Sequence, residues 1–257
     1  MKSLPYSVDR SILIEADRDT VFAFFTDSAR WATWWGAGST VDPRPGGALR
    51  IRHSNGFVSE GEVLEIAKPD RFVFTFSLQS AQLIPAEDSR VTIRLEQQNE
   101  GTLLKLTHEV ADPVLAEQMV QGWRFHFSLF ANAVANYVNV GAPDVVDAWF
   151  GVWTEPDAAA REATLSRIAA RKIRFRDRYS RLDGIDEIVA HTGAAQRFMP
   201  GIGLERKGNI RHCQGTVLAD WVARSTDGQE KMSGTSVFLL GPGLKIDSVT
   251  SVSNATS

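Results

Sequence analysis

The sequence predicts two α+β domains in tandem, each a curved antiparallel sheet closed by helices over an apolar cavity. Three observations carry this. Up to about residue 110, short runs of alternating polarity are separated by turn residues, the pattern of a strand meander. The period then changes: Leu115, Met119, Trp123, His126, Phe130, Val134 and Tyr137 step by four, four, three, four, four and three, one stripe of a long helix from about 113 to 139. After Asn139-Val140-Gly141-Ala142-Pro143-Asp144, which supplies the turn chemistry of a boundary, the order reverses, with helices first and strands last. The 257 residues therefore divide into domains 1–140 and 141–257.

In the first half, Ser11–Ala16 alternates as a strand. Thr20–Phe25 sets Val21, Phe22, Phe24 and Phe25 into one or two helical turns, with Asp19 as the cap. Trp34 and Trp35 follow this helix. Pro43, Pro45, Gly46 and Gly47 turn the chain into a strand at 48–53. Further strands are expected at 61–67, 71–77, 91–97 and 103–109, with turns at Pro69-Asp70 and Asn99-Glu100-Gly101.

In the second half, Val145, Val146, Trp149, Phe150 and Trp153 keep helical spacing. Thr154-Glu155-Pro156-Asp157 opens a second helix to about Arg171, with Leu165, Ile168 and Ala169 inward. Ile173–Tyr179 alternates as a strand whose charged residues form a solvated face, and Asp186–Phe198 is a third helix. Strands at 203–210, 212–224, 232–240 and 245–251 complete the domain, with turns at Asp227-Gly228 and Gly241-Pro242-Gly243. The small polar end, Ser251 to Ser257, is expected to fray.

Composition excludes several functions. With 43% hydrophobic residues the chain can fill real cores, and a formal net charge of -3 lacks the basic face of a nucleic-acid binder. The charge is spread, with 13 basic and 17 acidic residues up to 140 and 15 and 14 after it. No apolar run approaches the ~18 residues of a membrane helix, and the N-terminus shows no apolar signal core. A single Cys213 excludes an internal disulfide and argues against a cysteine zinc site, so a cytoplasmic location is expected. No H-x-x-x-H or H-E-x-x-H pair, phosphate-cradling loop or dinucleotide fingerprint occurs, and neither a metal nor a cofactor is expected. The odd feature is aromatic: seven Trp and 14 Phe against three Tyr.

Residues 8–138 contain Thr20-Val21-Phe22, Trp34-Trp35-Gly36, Asp42-Pro43-Arg44-Pro45-Gly46-Gly47, Gly61–Ile66, Pro69–Phe74, Leu106-Thr107-His108 and Gly122-Trp123. In these the first half resembles the heat-shock-ATPase-activator-homologue branch of the START-like, or SRPBCC, superfamily. The resemblance implies a helix-grip fold, a curved sheet around one long C-terminal helix with an apolar cavity between them, and little about chemistry. Residues 144–252, through Trp149 and Trp153, Phe175-Arg176-Asp177, Gly184 to Ile188, Gly234 and Lys245-Ile246, look like a SnoaL-like member of the nuclear-transport-factor-2-like superfamily. That resemblance implies a cone-shaped α+β domain, relatives that include isomerases, cyclases and hydrolases, and a homodimer formed through open sheets.

Trp34 and Trp35 read either as a packed corner of the core or as a cavity wall, for which Trp offers a large rigid face and one N–H. Trp123, His126, Phe127 and Phe130 share the helix face that meets the sheet, and Trp149 and Trp153 play the same part in the second half. These are the expected ligand-binding residues. His108 and His126 are expected to be satisfied or exposed rather than metal-bound.

By resemblance to the superfamily's isomerases, Asp177 is the expected proton shuttle inside an apolar cone. Burial would raise its pKa and strengthen it as a base. Arg178 stands where relatives often have Pro and could hold the carboxylate ionised. The isomerases' tyrosine oxyanion donor is missing, leaving Tyr179 and His212 as substitutes. Adjacent His212 and Cys213 point to opposite faces of a strand and cannot form a nucleophile–base pair.

The expected function is binding of a small hydrophobic or aromatic molecule without nucleic acid or membrane. The alternatives are a cofactor-independent isomerase, cyclase or hydrolase using Asp177, and a chaperone-linked or other protein-partner module.

Overall fold

The structure, a computed structural model, describes residues 3–79 and 83–254. The chain divides into two compact units, Met1–Ala135 and Asn136–Ser257. Residues 1, 2 and 255–257, on which part of the expectation for the two termini falls, lie outside the described residues.

The first unit runs β1 (Tyr6–Ile14), α1 (Arg18–Thr26), α2 (Ser28–Trp35), β2 (Thr40–Val41), β3 (Ala48–Arg52), β4 (Val58–Ala67), β5 (Arg71–Phe74), β6 (Leu78–Gln79), β7 (Leu83–Ile84), β8 (Ser89–Gln98), β9 (Gly101–Val110) and α3 (Pro113–Val138). Seven strands form one sheet in the order β1-β9-β8-β5-β4-β3-β2, antiparallel throughout. α3 begins where Asp112 accepts hydrogen bonds from the amides of Val114 and Leu115 at 2.7 and 3.1 Å, with Pro113 as the first helical residue. Leu115, Trp123, Phe127, Phe130 and Val134 are its buried face. The expected stripe is thus rotated slightly. Tyr137 is exposed and Met119 and His126 are half-buried, while Phe127 turns inward.

Two local expectations need correction. The cap of α1 is Asp17, whose carboxylate accepts from the Thr20 amide at 2.8 Å, and Asp19 lies within the first turn. Trp34 and Trp35 do not trail α1 but end a helix of their own, capped by Asp27, whose carboxylate accepts from the Arg30 amide at 3.0 Å. Eight residues are too few for a 3.6-residue period to register.

At Gly61 in β4 the backbones pack closely, and a Cβ there would stand 1.9 Å from the Thr75 carbonyl oxygen. Beside it the β4–β5 register slips between Val63 and Glu65. Only glycine allows that backbone approach, and the register slip beside it is the signature of a β-bulge.

The second unit runs α4 (Ala142–Val152), α5 (Ala158–Ile168), β10 (Ala169–Arg176), β11 (Arg181–Asp183), α6 (Ile185–Phe198), β12 (Ile202–Cys213), β13 (Thr216–Ser225), β14 (Glu230–Gly241) and β15 (Lys245–Ser253). Its sheet order is β11-β10-β15-β14-β13-β12. The sheet is mixed, because β15 pairs parallel with β10 and antiparallel with β14. Inserting the last strand beside the first requires a long crossover, which α6 and β12–β14 supply.

The helix expected to reach Arg171 stops at Ile168, because Ala169, Ile173 and Phe175 bury in the sheet. β10 ends at Arg176, so Asp177 and Tyr179 lie in the following turn rather than on a strand. The β12–β13 hairpin turns at Gln214-Gly215, both with positive φ, and not at residue 211. Ser251–Ser253 belong to β15 rather than to a frayed end.

Candidate functional site

In the first unit the aromatic residues separate into a packed core and a small pocket. Trp31 and Trp34 are sealed: Trp34 donates its indole N–H to the Phe24 carbonyl at 3.2 Å, and its ring meets Phe130 edge-on at 5.0 Å. Phe130 stacks on Phe25 at 5.0 Å. Trp34, Phe127 and Phe130 are therefore core residues. Trp35, Trp123 and His126 line a pocket of about 220 Å³ together with His53, Ser59, Phe76 and Met119.

His53 and His126 line this pocket, and a third histidine, fully buried His108, lies behind Trp123. The Trp123 indole donates to His108 Nδ1 at 2.9 Å, so the ring proton sits on Nε2 and points to Ser89 Oγ at 2.8 Å. Burial holds His108 well below its usual pKa, at about 3, against the opposing pull of Glu109. Burial, with His53 nearby, depresses His126 to about 4, and burial also lowers His53. His53 Nε2 pairs with Ser59 Oγ at 2.8 Å. Among the described residues no group of three or more His, Cys, Asp or Glu is arranged to hold a metal ion.

The second unit holds a larger cavity of about 830 Å³. Its wall comprises Trp149, Phe150 and Trp153 from α4 and its end, Phe175 from β10, Trp221 and Ala223 from β13, and Ala194 and Ala195 from α6. The rings brace one another: Trp149 and Trp153 lie 5.6 and 5.4 Å from Phe175, and Trp149 meets Trp153 edge-on at 6.2 Å. The loop after α4 is pinned by Gln196, which donates to the Trp153 and Glu155 carbonyls at 3.0 and 2.9 Å, and by buried Arg161, which donates to Glu155 and Pro156 at 2.7 and 3.0 Å. Trp221 packs against its cross-strand partner Gly234, where a Cβ would approach the indole to 2.6 Å. Around the mouth, Tyr179, Phe198, Met199 and Met232 are exposed.

Polar groups enter this apolar wall chiefly from the turn 177–180 and from α6. Asp177 lines the cavity and is half-buried. Its amide donates to the Ser180 carbonyl at 3.0 Å, and its carboxylate accepts from the Tyr179 amide at 2.8 Å. Arg178 turns toward the Tyr179 ring, at 5.6 Å from its centroid. Tyr179 is 74% exposed at the mouth. His212 is outside the cavity, where its Nε2 accepts from the Gly215 amide at 3.0 Å and closes the β12–β13 turn. It therefore does not join Asp177. The cavity brings in two groups that sequence reasoning missed, Ser180 and His191, paired Oγ to Nε2 at 3.1 Å. A signal existed for His191: it stands three residues after buried Ile188 and one before buried Thr192, on the inward face of α6.

Residues 15–135, nearly the whole first unit, match the family model for Activator of Hsp90 ATPase homolog 1-like protein. Over those residues the first unit is similar to this family. The antiparallel sheet of the first unit, with α3 packed on it through Trp123 and His108, is the helix-grip architecture expected from the sequence. Among solved structures, the chain is similar to a protein of the SnoaL-like family from Agrobacterium tumefaciens str. C58, at 23% identity over 44% of this chain and 96% of that one, TM-score 0.42. It is also similar to CalU16 from Micromonospora echinospora, at 22% identity over 49% and 75%, TM-score 0.40. A third is the Aha1 dimer from Colwellia psychrerythraea, at 14% identity over 48% and 90%, TM-score 0.41. No curated protein matches the chain. No helix among the described residues is long and apolar enough to cross a membrane.

Proposed function

We propose that the second unit binds a small hydrophobic molecule, with a flat aromatic one the best fit. The observation that carries this reading is the cavity of about 830 Å³ walled by the mutually braced rings of Trp149, Trp153 and Phe175 and by Trp221. Rigid aromatic walls take up apolar surface with little loss of side-chain freedom. The exposed apolar side chains at the mouth fit a ligand that extends past it.

1-Aminoanthracene, a fluorescent apolar probe, is expected to bind and raise the melting temperature of the second unit. At 100 times its dissociation constant the gain is ~2.7 kcal/mol. Ala194→Trp, which fills the cavity, should abolish the shift. No shift across a panel of apolar probes would overturn the reading. A homodimer is the proposed assembly, and sedimentation at micromolar concentration tests it.

A second reading, proton-transfer catalysis by Asp177, draws on one observation: this residue lines the same apolar cavity. The chain is then expected to accelerate exchange of the acidic α-protons of 2-tetralone in D2O. Asp177→Asn should lower that rate by ~10²–10⁴-fold without changing probe binding. Exchange at the buffer rate with the unaltered chain would remove this reading and leave the binding reading standing.

A further inference from the structure

We infer that Ser180 and His191 are a nucleophile–base pair able to cleave esters of apolar acids in the second unit's cavity. This rests on the proposed reading that the cavity admits an apolar molecule, and goes beyond it.

Ser180 Oγ and His191 Nε2 are 3.1 Å apart, and both residues border the cavity. A serine hydroxyl is a poor nucleophile alone and becomes a good one when an imidazole within hydrogen-bond reach can take its proton. Both partners are held. The turn carrying Ser180 is closed by the Asp177 amide bond to the Ser180 carbonyl, at 3.0 Å, and by the Asp177 carboxylate on the Tyr179 amide, at 2.8 Å. His191 sits mid-helix in α6, and its ring meets the Trp153 ring edge-on at 6.0 Å. The apolar walls around the pair would hold the acyl chain and exclude all but a little water.

In the first step Ser180 Oγ forms a bond to the ester carbonyl carbon while His191 Nε2 takes the hydroxyl proton. The ester C–O bond breaks, and His191 returns the proton to the departing alkoxide. Water then attacks the acyl-serine with His191 again as base, releasing the acid and restoring the serine.

The test uses the full chain with a decyl fluorophosphonate and with p-nitrophenyl decanoate. Ser180 Oγ should displace fluoride, and peptide mass mapping should place one phosphonyl group on Ser180. Labelling should vanish in Ser180→Ala and slow at least tenfold in His191→Asn, with p-nitrophenyl decanoate hydrolysis falling in parallel. Displacement of bound 1-aminoanthracene by the decanoate, measured in each variant, reports the cavity and the fold separately from the chemistry. Displacement without acylation, or labelling that maps elsewhere or persists in Ser180→Ala, overturns the nucleophile and leaves the binding reading intact. Failure to displace the probe overturns the apolar-ligand premise itself.

Discussion

Acidification is expected to weaken the first unit steeply as the pH falls below 6.5, a loss that begins above the range in which ordinary carboxylates titrate. His108 is fully buried and neutral, with a folded-state pKa of about 3 against 6.5 in an exposed histidine. As the pH falls through 6.5 the unfolded chain takes up a proton that the folded chain refuses, so the unfolded state gains. The loss begins below 6.5, grows by up to ~1.4 kcal/mol per pH unit for one such group, and levels off near the folded value. Above 6.5 the group contributes no pH dependence. His126, held at about 4, adds in the same direction over a narrower window.

The hydrogen bonds give the physical reason. A proton on His108 Nδ1 would face the Trp123 indole N–H, donor against donor, in the core. Hydrogen exchange of peptides from β8 and β9, followed in the full chain against urea at each pH, reads the first unit alone. His108→Gln retains an acceptor for Trp123 and a donor for Ser89 but cannot titrate. Its pH slope between 6 and 4.5 should be shallower by ~1.4 kcal/mol per unit. Equal slopes in the two proteins would contradict the assignment.

Truncating Trp34 is expected to be the most damaging single change among the aromatic residues that the sequence offered as ligand contacts. Its ring is buried against Trp31, Trp35, Phe25 and Phe130, and its N–H is committed to the Phe24 carbonyl. Trp34→Ala removes a large buried side chain and should cost the first unit ~3–5 kcal/mol. Affinity for 1-aminoanthracene, whose proposed site is the second unit's cavity, should stay unchanged. Trp34→Phe should recover much of the stability but not the N–H bond. Urea titration with hydrogen-exchange readout on α2 peptides measures the first effect and probe fluorescence the second. A stability change under ~1 kcal/mol would place Trp34 at a surface instead.

Particular residues show what was legible and why. The stripe from Leu115 to Val134 revealed α3 because 26 residues give the helical period room to declare itself. The eight-residue α2 gave no such signal, so Trp34 and Trp35 were expected after a helix rather than in one. The same brevity hid a division of labour: Trp34 faces the sealed core and Trp35 the pocket shared with Trp123 and His126. In the second unit Asp177 stood out by its motif and does line the cavity, while His212, chosen for its chemistry alone, closes a turn elsewhere. Ser180 and His191 were missed because a turn residue and a helix residue eleven positions apart share no sequence spacing that marks a pair.

The sequence by itself determined what short-range physics governs: the strand meander, the long amphipathic helix and the change from strands to helices after it. Each of these follows from side-chain period and backbone freedom within a few residues of the chain. Only the tertiary structure decided which aromatic rings close on one another and which leave space, that β15 slips in parallel beside β10, and that Ser180 meets His191 across a cavity. Those outcomes depend on which faces meet when distant segments pack, and a residue's chemistry carries no record of its neighbours in space.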